Sequence, residues 1–221
     1  MSVWALLVAA GSGERLGEER PKAFVRLGDL PLLAEPLRRL DESSWIDAIV
    51  VVVPAGWEEP ASLLAEELSA TKVVASVTGG ATRAESVRAA LAEVPADALV
   101  VLVHDAARPL VSDPVIERVL APLSEGWDGV VPGLALADTV KRVVDDVVVE
   151  TVDRNDLVGV QTPQAFLAPT LRAAYAAELG GATDCASLVE ARGGRIRCVE
   201  GDRRLLKVTT RADLELVSSW L

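Results

Sequence analysis

Histidine, cysteine and asparagine are almost missing from this chain. It has one histidine, His104, and two cysteines, Cys185 and Cys198, in 221 residues. A zinc site made wholly of protein ligands needs several such residues at close spacing, so the sequence argues against one. Two cysteines cannot build a disulfide scaffold, and the expected compartment is the cytoplasm. Positive charge is also short: 22 Lys and Arg face 33 Asp and Glu, for a net charge of −11. That excludes a general nucleic-acid binder, which needs a basic surface. A small anionic ligand is still allowed, because a local cluster of cations overrides the global field at short range.

Long apolar runs are absent too. The N-terminal run 3–10 is eight residues long with no basic region before it. It fits neither a secretory signal nor a membrane span and is expected to be a buried first strand. Lysine is confined to four positions, 22, 72, 141 and 207, so arginine supplies the other basic residues. Asparagine occurs once, as Asn155.

What is present is an alternation. Apolar runs "VWALLVAA" (3–10), "DAIVVVVP" (47–54), "TKVVASV" (71–77) and "DALVVLVHD" (97–105) carry few alternating polar residues. Each is expected to be a strand buried on both faces, as in a parallel sheet. Helical patterns lie between them at 30–43, interrupted by Pro36, and at 57–70 and 81–94. Strand–helix alternation with short connections predicts a doubly wound α/β sheet. Ser112-Asp113-Pro114 should open a further helix. From residue 127 two β-rich runs flank Asp145-Asp146, which predicts a hairpin arm at about 135–155. Helices are expected at 169–179, from Asp184 and from a Thr210 cap, with a strand over "RIRCVE" (195–200). One domain, 1–221, with a projecting arm follows.

In open α/β sheets ligands sit at the carboxyl ends of strands, so the loop after the first strand comes first. "VWALLVAAGSGERLGEERPKAF" (3–24) fails the dinucleotide pattern, because Leu16 stands where a glycine is required. It also lacks the Gly-Lys-Ser/Thr of a P-loop. What remains is a glycine-rich turn, with Gly11, Gly13 and Gly17, followed by Pro21-Lys22. Exposed N–H groups there form an anion nest, and Arg15 and Lys22 add charge suited to a triphosphate. An ordinary strand-to-helix turn with solvated charges is the alternative for this segment alone. "TGGATRAES" (78–86) offers Gly79-Gly80 for close approach of a base or ribose, with Arg83 and Ser86 as hydrogen-bonding groups. "VLVHDAARPLV" (101–111) puts Asp105 at a strand tip, where a carboxylate beside a triphosphate suits Mg²⁺. Arg108 is placed to meet a second phosphate. His104 reads as structural.

Taken in order, "LLVAAGSGERLGEERPKAF", "GGATRAESV", "VHDAARP", "DTVKR", "TVDRNDL", "QTPQAF" and "TDCASLVE…LLKVTT" resemble the 2-C-methyl-D-erythritol 4-phosphate cytidylyltransferase family over essentially the whole chain. The resemblance implies a mostly parallel, Rossmann-like nucleotidyltransferase sheet. It implies transfer of CMP from CTP to 2-C-methyl-D-erythritol 4-phosphate by direct in-line attack, releasing pyrophosphate, with Mg²⁺ as cofactor. By residue, it implies that Arg15, Lys22 and Lys207 stabilise charge on the phosphates. Ala9, Ala10, Gly11, Gly13, Gly80, Arg83, Ser86 and Asp105 would hold the nucleotide, with Asp105 on the metal. Arg108, Thr162 and Thr183 would contact the acceptor. Arg154 would reach the neighbouring subunit's site, making the arm a homodimer clasp. Lysine is kept at 22, 141 and 207, all inside the matched motifs, which favours function there.

Two departures lie near the expected acceptor site: Val158 and Gly159 replace an aromatic and a histidine, and Cys185 stands where an acidic residue is common. Alternatives at this stage are a cytidylyltransferase for another polyol phosphate, such as ribitol 5-phosphate, and a non-catalytic nucleotide-binding module. A sugar-1-phosphate nucleotidyltransferase is disfavoured by Lys207, which stands where a second metal-binding Asp would be expected.

Overall fold

The four apolar runs become parallel neighbours in one sheet. In a computed structural model describing residues 2–11, 13, 17, 20–176 and 181–221, they are β1 (Val3–Val8), β4 (Ala48–Val53), β5 (Val73–Thr78) and β6 (Val100–Asp105). Two short strands, β2 (Arg26–Leu27) and β3 (Leu30–Pro31), form a separate ribbon. The later strands are β7 (Gly129–Ala135), β10 (Val158–Val160), β11 (Gln164–Leu167) and β12 (Ile196–Glu200). The eight-stranded sheet runs β10-β7-β11-β6-β1-β4-β5, with β12 paired to β7. Only β10 and β11 run antiparallel to their neighbours.

Period-2 alternation divides the core between two faces. Ala5, Leu7, Ile49, Val51, Val53 and Leu102 pack on one side against α1 (Ala34–Glu42), α2 (Glu58–Glu67) and α4 (Asp113–Leu120). Leu6, Val50, Val52, Val101, Val103 and Phe166 pack on the other against α3 (Arg83–Ala92), α5 (Ala168–Tyr175) and α6 (Cys185–Glu190). The terminal helix α7 (Arg211–Ser218) joins a third cluster with Val25, Leu27 and Leu32. The doubly wound sheet is as expected. Among the described residues, no helix is long and apolar enough to cross a membrane.

Several boundaries differ from the sequence reading, each for a local reason. The helix expected from residue 30 begins at Ala34, because Leu30–Pro31 pairs with Arg26–Leu27 across a turn in which Gly28 has φ of 65°. Pro36 therefore falls in the first helical turn, where its missing N–H costs nothing, and does not interrupt α1. The run at 71–77 is not buried on both faces. It forms the edge strand β5, and Val74 is 55% exposed. Ser112 occupies the N-cap of α4 without a side-chain capping bond. Thr210 and Asp184 do cap α7 and α6, each accepting a bond from a first-turn N–H.

The arm is a ribbon of its own. β8 (Val140–Val144) and β9 (Val147–Val152) pair antiparallel, joined by Asp145-Asp146 with φ of 46° and 62°. Two positive φ values match the primed hairpin turn whose twist suits the flanking strands. The apolar run before it belongs instead to β7 of the main sheet. Val143, Val144, Val147, Val148 and Val149 of the ribbon are all more than half exposed.

Candidate active site

The strand order reverses between β1 and β6: β4 and β5 lie to one side of β1, and β6 returns on the other. Loops leaving the two strands at that point diverge and open a crevice at their carboxyl ends. A cavity of about 400 Å³ lies there. Its floor is Ala9, Ala10 and Gly11 after β1 and Ala106 and Ala107 after β6. Gly80, Arg83 and Ser86 bring in the start of α3, and Lys22 and Lys207 close the sides. A second cavity, about 290 Å³, adjoins it and is lined by Arg108, Thr162 and Thr183 among others. The two share Arg83, Asp105 and Lys207 as a common wall.

That wall is an ion cluster. Arg83 places Nε at 3.0 Å and Nη2 at 2.9 Å from Asp105 Oδ1, while Lys207 Nζ lies 2.7 Å from Oδ2. Burial alone would raise the Asp105 carboxyl, but Arg83 and then Lys207 outweigh it and hold it well below the usual carboxylate range. Asp105 is thus ionised at neutral pH with each oxygen facing a cation. Arg83 Nη1 also donates to Cys185 Sγ at 3.4 Å, and the Tyr175 hydroxyl donates to the same sulfur at 3.1 Å. Burial pushes the Cys185 thiol up, so it meets Arg83 as a neutral partner.

α3 is aimed at the crevice by a capping box. Thr82 Oγ1 accepts from Glu85 N, and the Glu85 carboxylate accepts from Thr82 N. Ser86 donates to the Thr82 carbonyl at 2.9 Å and accepts from Gly80 N at 3.1 Å. A Cβ on Gly79 would lie 2.4 Å from Ala10 Cβ, and one on Gly80 would lie 2.3 Å from Glu85 Cβ. The close approach read from these glycines is therefore made first by the chain's own side chains.

On the other side, the Arg108 Nη1 donates to the Leu205 carbonyl at 2.6 Å. Its buried Nε has no hydrogen-bond partner. Gln164 donates to the Asp184 carboxylate at 2.8 Å. Gln161, Gln164 and Asp184 line the second cavity, though none was singled out from sequence. The signal was available in the "QTPQ" motif for the two glutamines and in "TDCAS" for Asp184. Thr162-Pro163 is a cis peptide.

Most expected site residues come together. Ala9, Ala10, Gly11, Lys22, Gly80, Arg83, Ser86, Asp105 and Lys207 line the first cavity; Arg108, Thr162 and Thr183 line the second. Gly13 lines neither, but its φ is 74° and a Cβ there would lie 2.5 Å from Lys22 Cβ. Arg15 lies outside the described residues. Arg154 is exposed and donates to its own chain's Ala137 carbonyl, and it lines neither cavity. Of the departures, Val158 and Gly159 sit in β10 and line neither cavity, whereas Cys185 touches Arg83 directly.

Gly13 supports a specific expectation. Gly13→Ala combines a left-handed backbone with a collision against Lys22, a strain of about 1–2 kcal/mol before the contact is counted. The KM for the ligand of the first cavity should rise about tenfold, and because the strain sits in the folded state the melting temperature should fall by a few degrees. An unchanged KM would remove Gly13 from the account.

Comparison with known proteins gives a consistent result. The family described as "IspD: 2-C-methyl-D-erythritol 4-phosphate cytidylyltransferase" matches residues 3–221. A protein of Nocardia farcinica, named 2-C-methyl-D-erythritol 4-phosphate cytidylyltransferase, is 48% identical over 221 residues, covering 100% of this chain and 94% of the relative. One of the same name from Saccharopolyspora erythraea is 46% identical, covering all of both chains. The solved 4-diphosphocytidyl-2C-methyl-D-erythritol synthase of Anaerococcus prevotii superposes with a TM-score of 0.85 at 26% identity, covering 99% of this chain and 97% of the other.

Proposed function

The chain belongs to the 2-C-methyl-D-erythritol 4-phosphate cytidylyltransferase family, and from that premise we propose how its residues divide the reaction. The enzyme transfers CMP from CTP to 2-C-methyl-D-erythritol 4-phosphate. A phosphate oxygen of the acceptor attacks the α-phosphorus, a new P–O bond forms, the α–β bridging P–O bond breaks, and pyrophosphate leaves. We assign CTP to the first cavity and the acceptor to the second. The observation that carries this assignment is the shared wall: Arg83, Asp105 and Lys207 border both cavities, where attacking oxygen and α-phosphorus would meet.

Ala9, Ala10, Gly11, Gly80 and Ser86 then present backbone and hydroxyl groups to the cytidine. Lys22 and Arg15 hold the triphosphate, with Gly13 shaping the loop around Lys22. Lys207 serves the α-phosphate from the wall, and its ammonium offsets charge that grows as the bond to pyrophosphate breaks. Arg83 keeps Asp105 in place. Arg108, with an unpartnered Nε, and Thr183 and Thr162 hold the acceptor. No covalent enzyme intermediate is needed, so positioning and charge stabilisation supply the rate.

Cytidylyltransferases generally use a divalent metal. Among the described residues no group of three or more His, Cys, Asp or Glu is placed to hold one. A single carboxylate at a triphosphate site fits Mg²⁺, which takes oxygen ligands and fills its shell with substrate phosphates and water. Asp105 would hold it, and when bound it would neutralise charge on the phosphoryl oxygens. Because both Asp105 oxygens face cations, Lys207 is the partner free to be exchanged; its side chain is 41% exposed, against 22% for Arg83.

We assign the whole chain, 1–221, to one catalytic domain acting as a homodimer in the cytoplasm. The exposed valines of the β8–β9 ribbon support the clasp, and two unpaired cysteines suit a reducing compartment. Arg154 then serves the partner's acceptor site. The test pairs each of the four nucleoside triphosphates with methylerythritol 4-phosphate or ribitol 5-phosphate and follows pyrophosphate release with Mg²⁺. Release is expected only with CTP and methylerythritol 4-phosphate. Release with ribitol 5-phosphate alone would overturn the acceptor assignment, and silence in all pairs would favour a binding module.

A further inference from the structure

The wall of the second cavity contains a hydrogen-bonded chain whose direction is determined at every link. It begins at His104, the penultimate residue of β6, whose side chain is wholly buried. Nε2 lies 2.9 Å from the Arg108 carbonyl oxygen. A carbonyl only accepts, so Nε2 carries hydrogen. Nδ1 lies 3.2 Å from Thr162 Oγ1. A second hydrogen on Nδ1 would make a buried cation with no carboxylate bonded to it, which is costly. Nδ1 therefore bears a lone pair, and the Thr162 hydroxyl must donate to it.

The same Thr162 oxygen accepts from Asp105 N at 3.0 Å. A hydroxyl has one hydrogen and two lone pairs. Its hydrogen is spent on His104 and one lone pair on Asp105. One lone pair is left, at a residue lining the second cavity. Whatever ligand atom bonds Thr162 must arrive with a hydrogen. A phosphate oxygen in its ionised form has none, whereas a polyol hydroxyl does. The phosphate must then be met elsewhere on the wall, where Arg83, Arg108 and Lys207 supply donors.

We propose that His104 is a positioning residue that makes Thr162 an acceptor reserved for a hydroxyl of the polyol phosphate, so that the ligand enters the cavity in one orientation. The proposal rests on assigning the second cavity to the acceptor. His104 lines neither of the two cavities and acts only through Thr162 and the Arg108 carbonyl. Placed beside Asp105 in the strand, it links the acceptor's hydroxyl to the residue on the shared wall. The lone histidine expected to be structural thus sets a hydrogen-bond direction.

Two measurements test this on the full-length enzyme. His104 is the only histidine in the chain, so ¹⁵N-histidine labelling gives one ring to read at neutral pH. A pyrrole-type Nε2 and a pyridine-type Nδ1 are expected; hydrogen on Nδ1 in either form overturns the proposal. Kinetically, Thr162→Val should raise the acceptor KM about tenfold or more and leave the CTP KM within about twofold. Thr162→Ser should retain the wild-type value. Among acceptors lacking one hydroxyl each, one should lose affinity on the wild type and lose none further on Thr162→Val. His104→Asn, whose amide oxygen can replace Nδ1, should keep more acceptor affinity than His104→Gln. If Arg108→Gln and Thr183→Val also leave the acceptor KM unmoved, the cavity assignment falls and takes this inference with it. If those two raise it and Thr162→Val does not, the direction argument alone is overturned.

Discussion

Replacing Asp105 with asparagine is expected to lower kcat for CMP transfer by a factor of about 10³, the range seen when one preorganised charge is removed from a site. The substitution keeps the shape and removes the charge. In the native enzyme one carboxylate answers Arg83 on one oxygen and Lys207 on the other. An amide leaves both cations facing a neutral group, and the proposed metal loses its protein ligand. Binding of CTP without metal should hold or tighten, because the carboxylate also repels the triphosphate. The measurements are pyrophosphate release at saturating substrates, a metal-free CTP titration and a melting curve. Turnover within tenfold of wild type, in a variant that melts normally, would remove Asp105 from the chemistry.

The second large effect concerns Arg154. Arg154→Ala is expected to abolish most turnover while leaving metal-free CTP binding unchanged, since the residue lines neither cavity of its own chain. Lys22→Ala should fail in its own subunit. If the ribbon serves the neighbour, mixing the two inactive variants restores activity. A heterodimer has one site with both residues intact, so an equal mixture after subunit exchange should regain about a quarter of wild-type activity. Because five valines of the ribbon lie more than half exposed in one chain, a covering partner is also expected in sedimentation. A strictly monomeric enzyme, or a mixture without recovery, would overturn the clasp.

Much of this architecture was legible because parallel strands buried on both faces leave continuous apolar runs. β1, β4 and β6 are such runs, and their positions set the crevice. β5 misled because the same valine-rich signature serves a strand at the sheet edge, where one side of the ladder is open. Leu30–Pro31 read as helix because its apolar spacing is shared with a two-residue ribbon strand that only the Gly28 turn reveals. The site was legible as a set of residue types. Its wiring was not. Arg83 and Lys207 reach Asp105 across 22 and 102 residues, and spacing in sequence says nothing of which cation takes which oxygen. Cys185 was noticed as a departure, but only the fold shows its sulfur accepting from Arg83.

The common wall has a further consequence for inhibitor chemistry. Two fragments that each fill one cavity would lie side by side, separated by three side chains. Joined by a short linker carrying one acidic group toward Lys207, the second fragment binds as an intramolecular event at high effective concentration. Their affinities then multiply instead of adding, provided the linker spans the wall without strain. On the proposed assignment, a weak cytidine mimic for the first cavity and a weak polyol mimic for the second are better starting points together than either is alone.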